Sequence, residues 1–149
     1  MSLADLEKRM QVIEDMEAIK KLHQNYINLM DNLRYDEVVD VFTDDATVEI
    51  RQHGVKKGKK EINDIYQMIK GFYKGGVPRH IAHFCCEPDI TVNGNSAKGT
   101  WLIYFFDSIP KQSWVQGIND CEYRKVNGKW FISKLKFTRT LASDPSLYP

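Results

Sequence analysis

Residues 18–50 read AIKKLHQNYINLMDNLRYDEVVDVFTDDATVEI, and the rest of the chain is organised around this stretch. Leading into it, Leu6, Met10, Ile13, Ile19, Leu22, Tyr26, Leu29 and Met30 recur at three- and four-residue steps. That spacing predicts a long helix over Leu6–Met30 with one buried stripe. Glu17 and Lys21 add a helix-supporting i,i+4 pair. Asn32-Leu33-Arg34 interrupts the period, and Asp36–Phe42 (DEVVDVF) makes a short second helix. Thr43-Asp44-Asp45 is turn-forming, and the β-branched content of Thr47–Arg51 predicts a strand. Tyr26 and Asp31 are polar groups set where this helix should bury oil. A carboxylate there needs solvent or a partner, because an unpaired buried charge is costly. The two lie five residues apart, ~140° around an ideal helix. They meet one cavity only if the helix end unwinds or the cavity wraps around it.

Downstream, Ile62, Ile65, Tyr66, Ile69, Phe72 and Tyr73 share one face of a helix over Lys59–Tyr73. Gly75-Gly76 stops it, with Lys70 and Lys74 at the end where the helix dipole favours cations. After Pro78 the pattern turns to strands: Arg79–Val92, Ala97–Ser108, Ser113–Lys125 and Lys129–Leu141. Asn93-Gly94-Asn95 and Asn127-Gly128 are hairpin turns between them, with a loop at Pro110. Pro88 cannot donate to a ladder, so it marks a bulge or an edge. Helices first and hairpin-linked strands afterwards predict an α+β fold, the helices gathered on one side of a curved antiparallel sheet. Ser143–Pro149 is expected to be a surface arm or a cap on a neighbour.

A length of 149 residues suits a single domain over 1–149, large enough for a core and a pocket. Lysine and arginine number 21 against 20 acids, so no basic field points to nucleic acid. No apolar run reaches the ~18 residues of a membrane span, and MSLADLEKRM lacks the apolar core of a signal peptide. Three cysteines cannot all pair, and Cys85–Cys86 are adjacent, which favours a reduced cytoplasmic setting. Seven Phe, seven Tyr and three Trp suit a core and equally a cavity for a planar ligand. Lys56–Lys60 reads as a solvated basic turn and Cys85–Cys86 as packing.

The residues that could carry chemistry are few. On a strand, His80 and His83 point to opposite faces, so a shared metal site is not expected and no Cys or carboxylate set completes one. His83 shares its face with Ile81 and Cys85, which makes it either a satisfied core histidine or a base facing a pocket. Asp31 is either a solvated loop acid or the partner of His83. His23 and His53 are expected on the surface. Phe131, Ser133, Leu135, Phe137 and Arg139 share a face of the last strand. There Arg139 is a strand-end residue reaching for water or a clamp for a carboxylate or oxyanion. Asn119 could donate into a pocket. Trp101, Ile103 and Phe105 form one apolar face, and Leu102, Tyr104 and Phe106 the other, as in a central strand covered on both sides. Dinucleotide, Walker and nucleophile-elbow motifs do not occur.

Ala18-Ile19, Leu22, Tyr26, Asp31, Phe42, Asp45-Ala46, His83 and the Gly128-Lys129-Trp130 hairpin together resemble the SnoaL-like branch of the nuclear transport factor 2-like superfamily. The likeness runs from about Asp15 to Arg139. It is greatest to the group holding bile-acid 7α-dehydratase, scytalone dehydratase and hexachlorocyclohexane dehydrochlorinase. The resemblance implies a cone of curved antiparallel sheet around an N-terminal helix, with a cavity in its mouth, and a homo-oligomer, dimer or trimer. It implies a cofactor-independent, metal-free lyase of dehydratase type acting on a hydrophobic cyclic, polyketide or steroid-like molecule. His83 would be the base, Asp31 its paired acid and Tyr26 a donor. Arg139, Asn119, Trp101, Phe105 and Phe137 would bind substrate. Two positions depart from the pattern: Phe105 stands where the bile-acid enzyme has an acid, and Leu135 where the dehydrochlorinase has an arginine. An isomerase or cyclase with the same dyad, or a non-catalytic ligand-binding or assembly module, is the alternative.

Overall fold

The computed structural model describes residues 1–149 except 74, 79, 87, 109–111, 145 and 147–149. The expected loop at Pro110, the strand start at Arg79, Lys74 and most of the C-terminal arm lie outside the described residues. Helix α1 spans Leu3–Asp31. It starts at a capping box: the Ser2 hydroxyl accepts from the Asp5 backbone N–H, and the Asp5 carboxylate accepts from that of Ser2. The expected buried stripe holds only for its second half. Leu6, Met10 and Ile13 are exposed, and burial begins at Asp15 and Ile19.

The end of α1 sets the geometry of everything that follows. Arg34 N–H donates to the Leu29 carbonyl and Leu33 N–H to that of Met30, with Leu33 left-handed at φ 59°. This is a Schellman motif with a leucine where glycine is usual, at a cost of about 1 kcal/mol. The helix therefore stays regular through Asp31 and stops abruptly. A 3₁₀ turn over Tyr35–Val41 buries Tyr35, Val38 and Val41, where a short helix was expected.

Strands β1 (Phe42–Ile50) and β2 (Val55–Lys57) precede helix α2 (Gly58–Phe72). They are followed by β3 (Ile81–Cys85), β4 (Asp89–Asn93), β5 (Ser96–Asp107), β6 (Ser113–Val126) and β7 (Lys129–Ala142). The described residues form a curved sheet in the order β2-β1-β7-β6-β5-β3, with β4 also paired to β5. Three expectations are corrected here. Thr43-Asp44-Asp45 is the bulged start of β1, where the register with β7 slips between Phe42 and Thr47. β1 runs parallel to β7, since no hairpin joins them and pairing direction was free of turn geometry. Lys56 and Lys57 belong to β2, and α2 starts at Gly58.

Pro88 does mark an edge. The expected strand over 79–92 is split into β3 and β4, which pair with different halves of β5. The two helices cover the concave face, over a core containing Ile19, Phe42, Tyr66, Ile132 and Leu135. Trp101, Ile103 and Phe105 of β5 are buried inward, but the outer face is not covered within this chain as expected: Phe106 there is exposed. Cys85 and Cys86 are exposed as well, so they do not pack a core; only Cys121 is buried.

Candidate active site

α1 ends against β3, and the contact is made by one carboxylate. Asp31 is 4% exposed and accepts two hydrogen bonds from the same residue. His83 Nδ1 donates to Oδ1 at 2.5 Å, and the His83 backbone N–H donates to Oδ2 at 3.2 Å. A carboxylate offers only lone pairs, so Nδ1 carries the hydrogen and Nε2 is left as the lone-pair nitrogen of the neutral ring. The imidazole lines a cavity of about 140 Å³ on the concave side of the sheet. Asp31 stands behind the ring, off the cavity wall. The angular conflict between Tyr26 and Asp31 is resolved without any unwinding: Tyr26 faces the cavity, Asp31 faces β3, and His83 brings the acid's influence round to the pocket.

Tyr26 also lines the cavity, yet its partner is not the dyad. Its hydroxyl shares a 2.8 Å hydrogen bond with the Tyr66 hydroxyl from α2. Burial pushes the pKa of both tyrosines well above the ordinary value, so both remain protonated donors. Phe105 and Phe137 form the apolar floor, with the Phe105 ring centroid 5.3 Å from that of His83. Asn119, 3% exposed, contributes to the wall, with its amide nitrogen 3.5 Å from His23 Nε2.

Two expected substrate contacts are absent from the wall. Trp101 is occupied elsewhere: its ring stacks on His23 at 4.1 Å, and its Nε1–H donates to the Tyr123 hydroxyl at 2.8 Å. That hydroxyl is also 3.1 Å from His23 Nδ1. His23, expected on the surface, is fully buried in this network because it continues the Ile19 stripe one turn on. Burial lowers its pKa to about 3, so it is neutral. Arg139 lies on β7 beyond Phe137 and off the wall, with its Nε buried and unbonded. His53, also expected on the surface, is half-buried and lines the cavity.

The cation that does line the cavity is Arg51, which sequence reasoning placed merely at a strand end. It follows β1 with a left-handed backbone, φ 52°, a conformation that costs a non-glycine residue about 1 kcal/mol or more. Its guanidinium carbon lies 5.9 Å from the Phe105 ring centroid and 5.8 Å from that of Phe137. Burial, together with the nearby charge of Arg139, lowers its pKa to about 10, so it stays cationic at neutral pH. The signal in the sequence was faint: an arginine between a strand and the Gln52-His53-Gly54 turn. Tyr66 was legible as a buried residue of α2, but nothing in the spacing paired it with Tyr26.

The chemical capacity of this arrangement is a base at the end of a carboxylate-held imidazole, a hydroxyl pair able to donate to an oxyanion, and one cation on an aromatic floor. Among the described residues, no three His, Cys, Asp or Glu side chains converge as a metal site would require; His80 lies in the bend before β3 rather than on the strand and is hydrogen-bonded to the Val77 carbonyl, off the cavity wall. No helix of the described residues is long and apolar enough to cross a membrane.

Solved structures repeat this fold at low sequence identity. A proposed scytalone dehydratase from Novosphingobium aromaticivorans is 18% identical with a TM-score of 0.77, over 89% of this chain and 88% of that one. An NTF2-like protein with a cystatin-like fold from the same species is 18% identical with a TM-score of 0.79, over 97% and 94%. The hexachlorocyclohexane dehydrochlorinase LinA-type3 from Novosphingobium barchaimii is 15% identical with a TM-score of 0.77, over 97% of each. At these identities the likeness is one of fold. The sequence itself matches the SnoaL-like domain over residues 11–136, and the chain therefore belongs to the SnoaL-like family.

Proposed function

We propose that this protein is a cofactor-independent lyase of dehydratase type, acting on a small hydrophobic cyclic molecule. The observation that carries this reading is the Asp31–His83 pair, with the imidazole on a cavity wall and its Nδ1 held by the carboxylate. His83 Nε2 takes a proton from a carbon beside a carbonyl, and the C–H electrons become the new carbon–carbon double bond. Asp31 stabilises the imidazolium that forms and holds its orientation. The Tyr26–Tyr66 pair donates to the oxygen on which negative charge develops. The imidazolium returns its proton to the departing hydroxyl, which leaves as water, so nothing is oxidised or reduced. Two structural neighbours are named for eliminations, a dehydratase and a dehydrochlorinase, which supports the reaction class.

The cavity narrows the substrate. At about 140 Å³ it is close to the size of an engineered cavity of ~150 Å³ that holds benzene. A single ring fits, and a tetracyclic steroid would have to project from the mouth. The test is a panel of monocyclic β-hydroxy ketones and acids, with product mass as the readout. The reading expects a product lighter by one water, formed by the wild type and lost in His83→Ala by about 10²–10⁴-fold in rate. Near-wild-type turnover by His83→Ala would contradict it. The Tyr26–Tyr66 donor pair also suits an isomerase, which needs an enolate but no leaving group. A product of unchanged mass would move the assignment there.

A further inference from the structure

We propose that the substrate is an anion, a cyclic compound bearing a carboxylate, and that Arg51 is the residue that binds it. This deepens the reading above and rests on it for the identity of the pocket. Arg51 is a half-buried charge without a paired carboxylate among the described residues. Arg51 and Arg139 approach closely enough for one charge to act on the other, and Nε of each is buried without a hydrogen bond. Among the described residues no carboxylate pairs with either guanidinium. Asp107 acts on Arg51 only through its charge, and its own Oδ1 is buried and unbonded. Two neighbouring cations without a paired carboxylate are a costly arrangement for folding alone, since Arg51 loses solvent and Asp107 reaches it only through its charge.

The placement explains what the arrangement is for. Arg51 is held inward by a left-handed backbone and by the faces of Phe105 and Phe137, so its donors stay at the cavity. Phe105 is also the ring against which His83 lies. The base and the cation therefore flank one aromatic floor, and a ring lying on Phe105 with its carboxylate on Arg51 presents a ring carbon to His83. A planar guanidinium meets a carboxylate through two parallel hydrogen bonds, which fixes the orientation of the ring as well as its charge. Arg139, off the wall, adds its positive charge near Arg51.

The experiment compares cyclohexanecarboxylate with its neutral, near-isosteric carboxamide, titrated calorimetrically into the full chain at fixed ionic strength. The carboxylate is expected to bind about tenfold or more tightly than the carboxamide. Arg51→Met should remove that preference, Arg51→Lys should retain part of it, and His83→Ala should leave it intact. Equal binding of the two probes by the wild type, which needs no variant to fold, would overturn the proposal, as would no saturable binding of the carboxylate. So would an unchanged preference in Arg51→Met, or a preference lost in His83→Ala, since the imidazole would then be the anion's partner. The readout is binding, so the two readings fail separately. Carboxylate preference without turnover removes the lyase and keeps the subsite; turnover of neutral rings without preference does the reverse.

Discussion

Replacing Asp31 by asparagine separates a residue kept for chemistry from one kept for folding. The carboxylate accepts two hydrogen bonds from His83, at 2.5 Å and 3.2 Å. If the asparagine carbonyl keeps the bond to Nδ1, the imidazolium formed during proton abstraction loses a charge-assisted contact worth about 1.5–3 kcal/mol. That corresponds to roughly 10- to 150-fold in rate. If the amide group turns toward Nδ1 instead, the ring takes the opposite tautomer and the base is lost. In a serine-protease triad the equivalent change costs about 10⁴-fold. Stability should respond differently. Asp31 is 4% exposed, and a buried carboxylate gives up solvation that a neutral, nearly isosteric amide does not need. The variant should therefore unfold within about 4 °C of the wild type, since 1 kcal/mol is about 2–4 °C for a chain of this size. The assays are kcat/KM on a ring compound dehydrated by the wild type and thermal unfolding followed by circular dichroism. A large loss of stability with turnover preserved would refute the reasoning.

Three further outcomes follow from other residues. His23 is buried and neutral with its pKa lowered to about 3, so it adds stability that is full above the unfolded value near 6.5 and drains away as pH falls toward 3. His23→Gln should flatten the wild-type acid-unfolding curve in that window; an identical slope in both proteins would contradict the assignment. Gly117 has no room for a side chain, since a Cβ there would lie 2.2 Å from the Phe137 ring and 2.8 Å from the Thr138 carbonyl oxygen. Gly117→Ala should cost about 1–3 kcal/mol in urea unfolding and push Phe137 out of place, weakening ring binding. Tyr26→Phe and Tyr66→Phe each strand the other's buried hydroxyl, at about 1–3 kcal/mol, so the double variant should lose less stability than the two single losses combined.

Much of this was legible in the chain because local rules and the fold agree. The helix period of α1, the Asn-Gly hairpin and the alternation of β5 each named their element. The pairing of Asp31 with His83 came from a polar group on an oily stripe and a histidine on an inward strand face, reinforced by family resemblance. What escaped depended on distance through space. Leu33 could take the left-handed position of the Schellman motif only because the helix end packs, and a leucine there announces nothing. Trp101 looked like a pocket aromatic, but its face of β5 is shared between the cavity and the His23 network, and alternation cannot tell the two ends apart. Arg139 is the clamp that the last strand suggests, whereas the cation on the wall is Arg51. Strand register decides which arginine reaches the wall, and the parallel β1–β7 pairing that sets this register has no signature in either strand.

The chemistry proposed for this pocket depends on Asp31 holding His83 Nδ1 so that the Nε2 lone pair is left for the cavity. Nitrogen-15 NMR of the imidazole rings reads that state directly and needs no substrate. Neutral His83 is expected to have its hydrogen on Nδ1 in the wild type, and Asp31→Ala to allow the Nε2–H form to appear. Finding His83 in the Nε2–H form in the wild type would place a proton where the base must be empty, and would contradict the account.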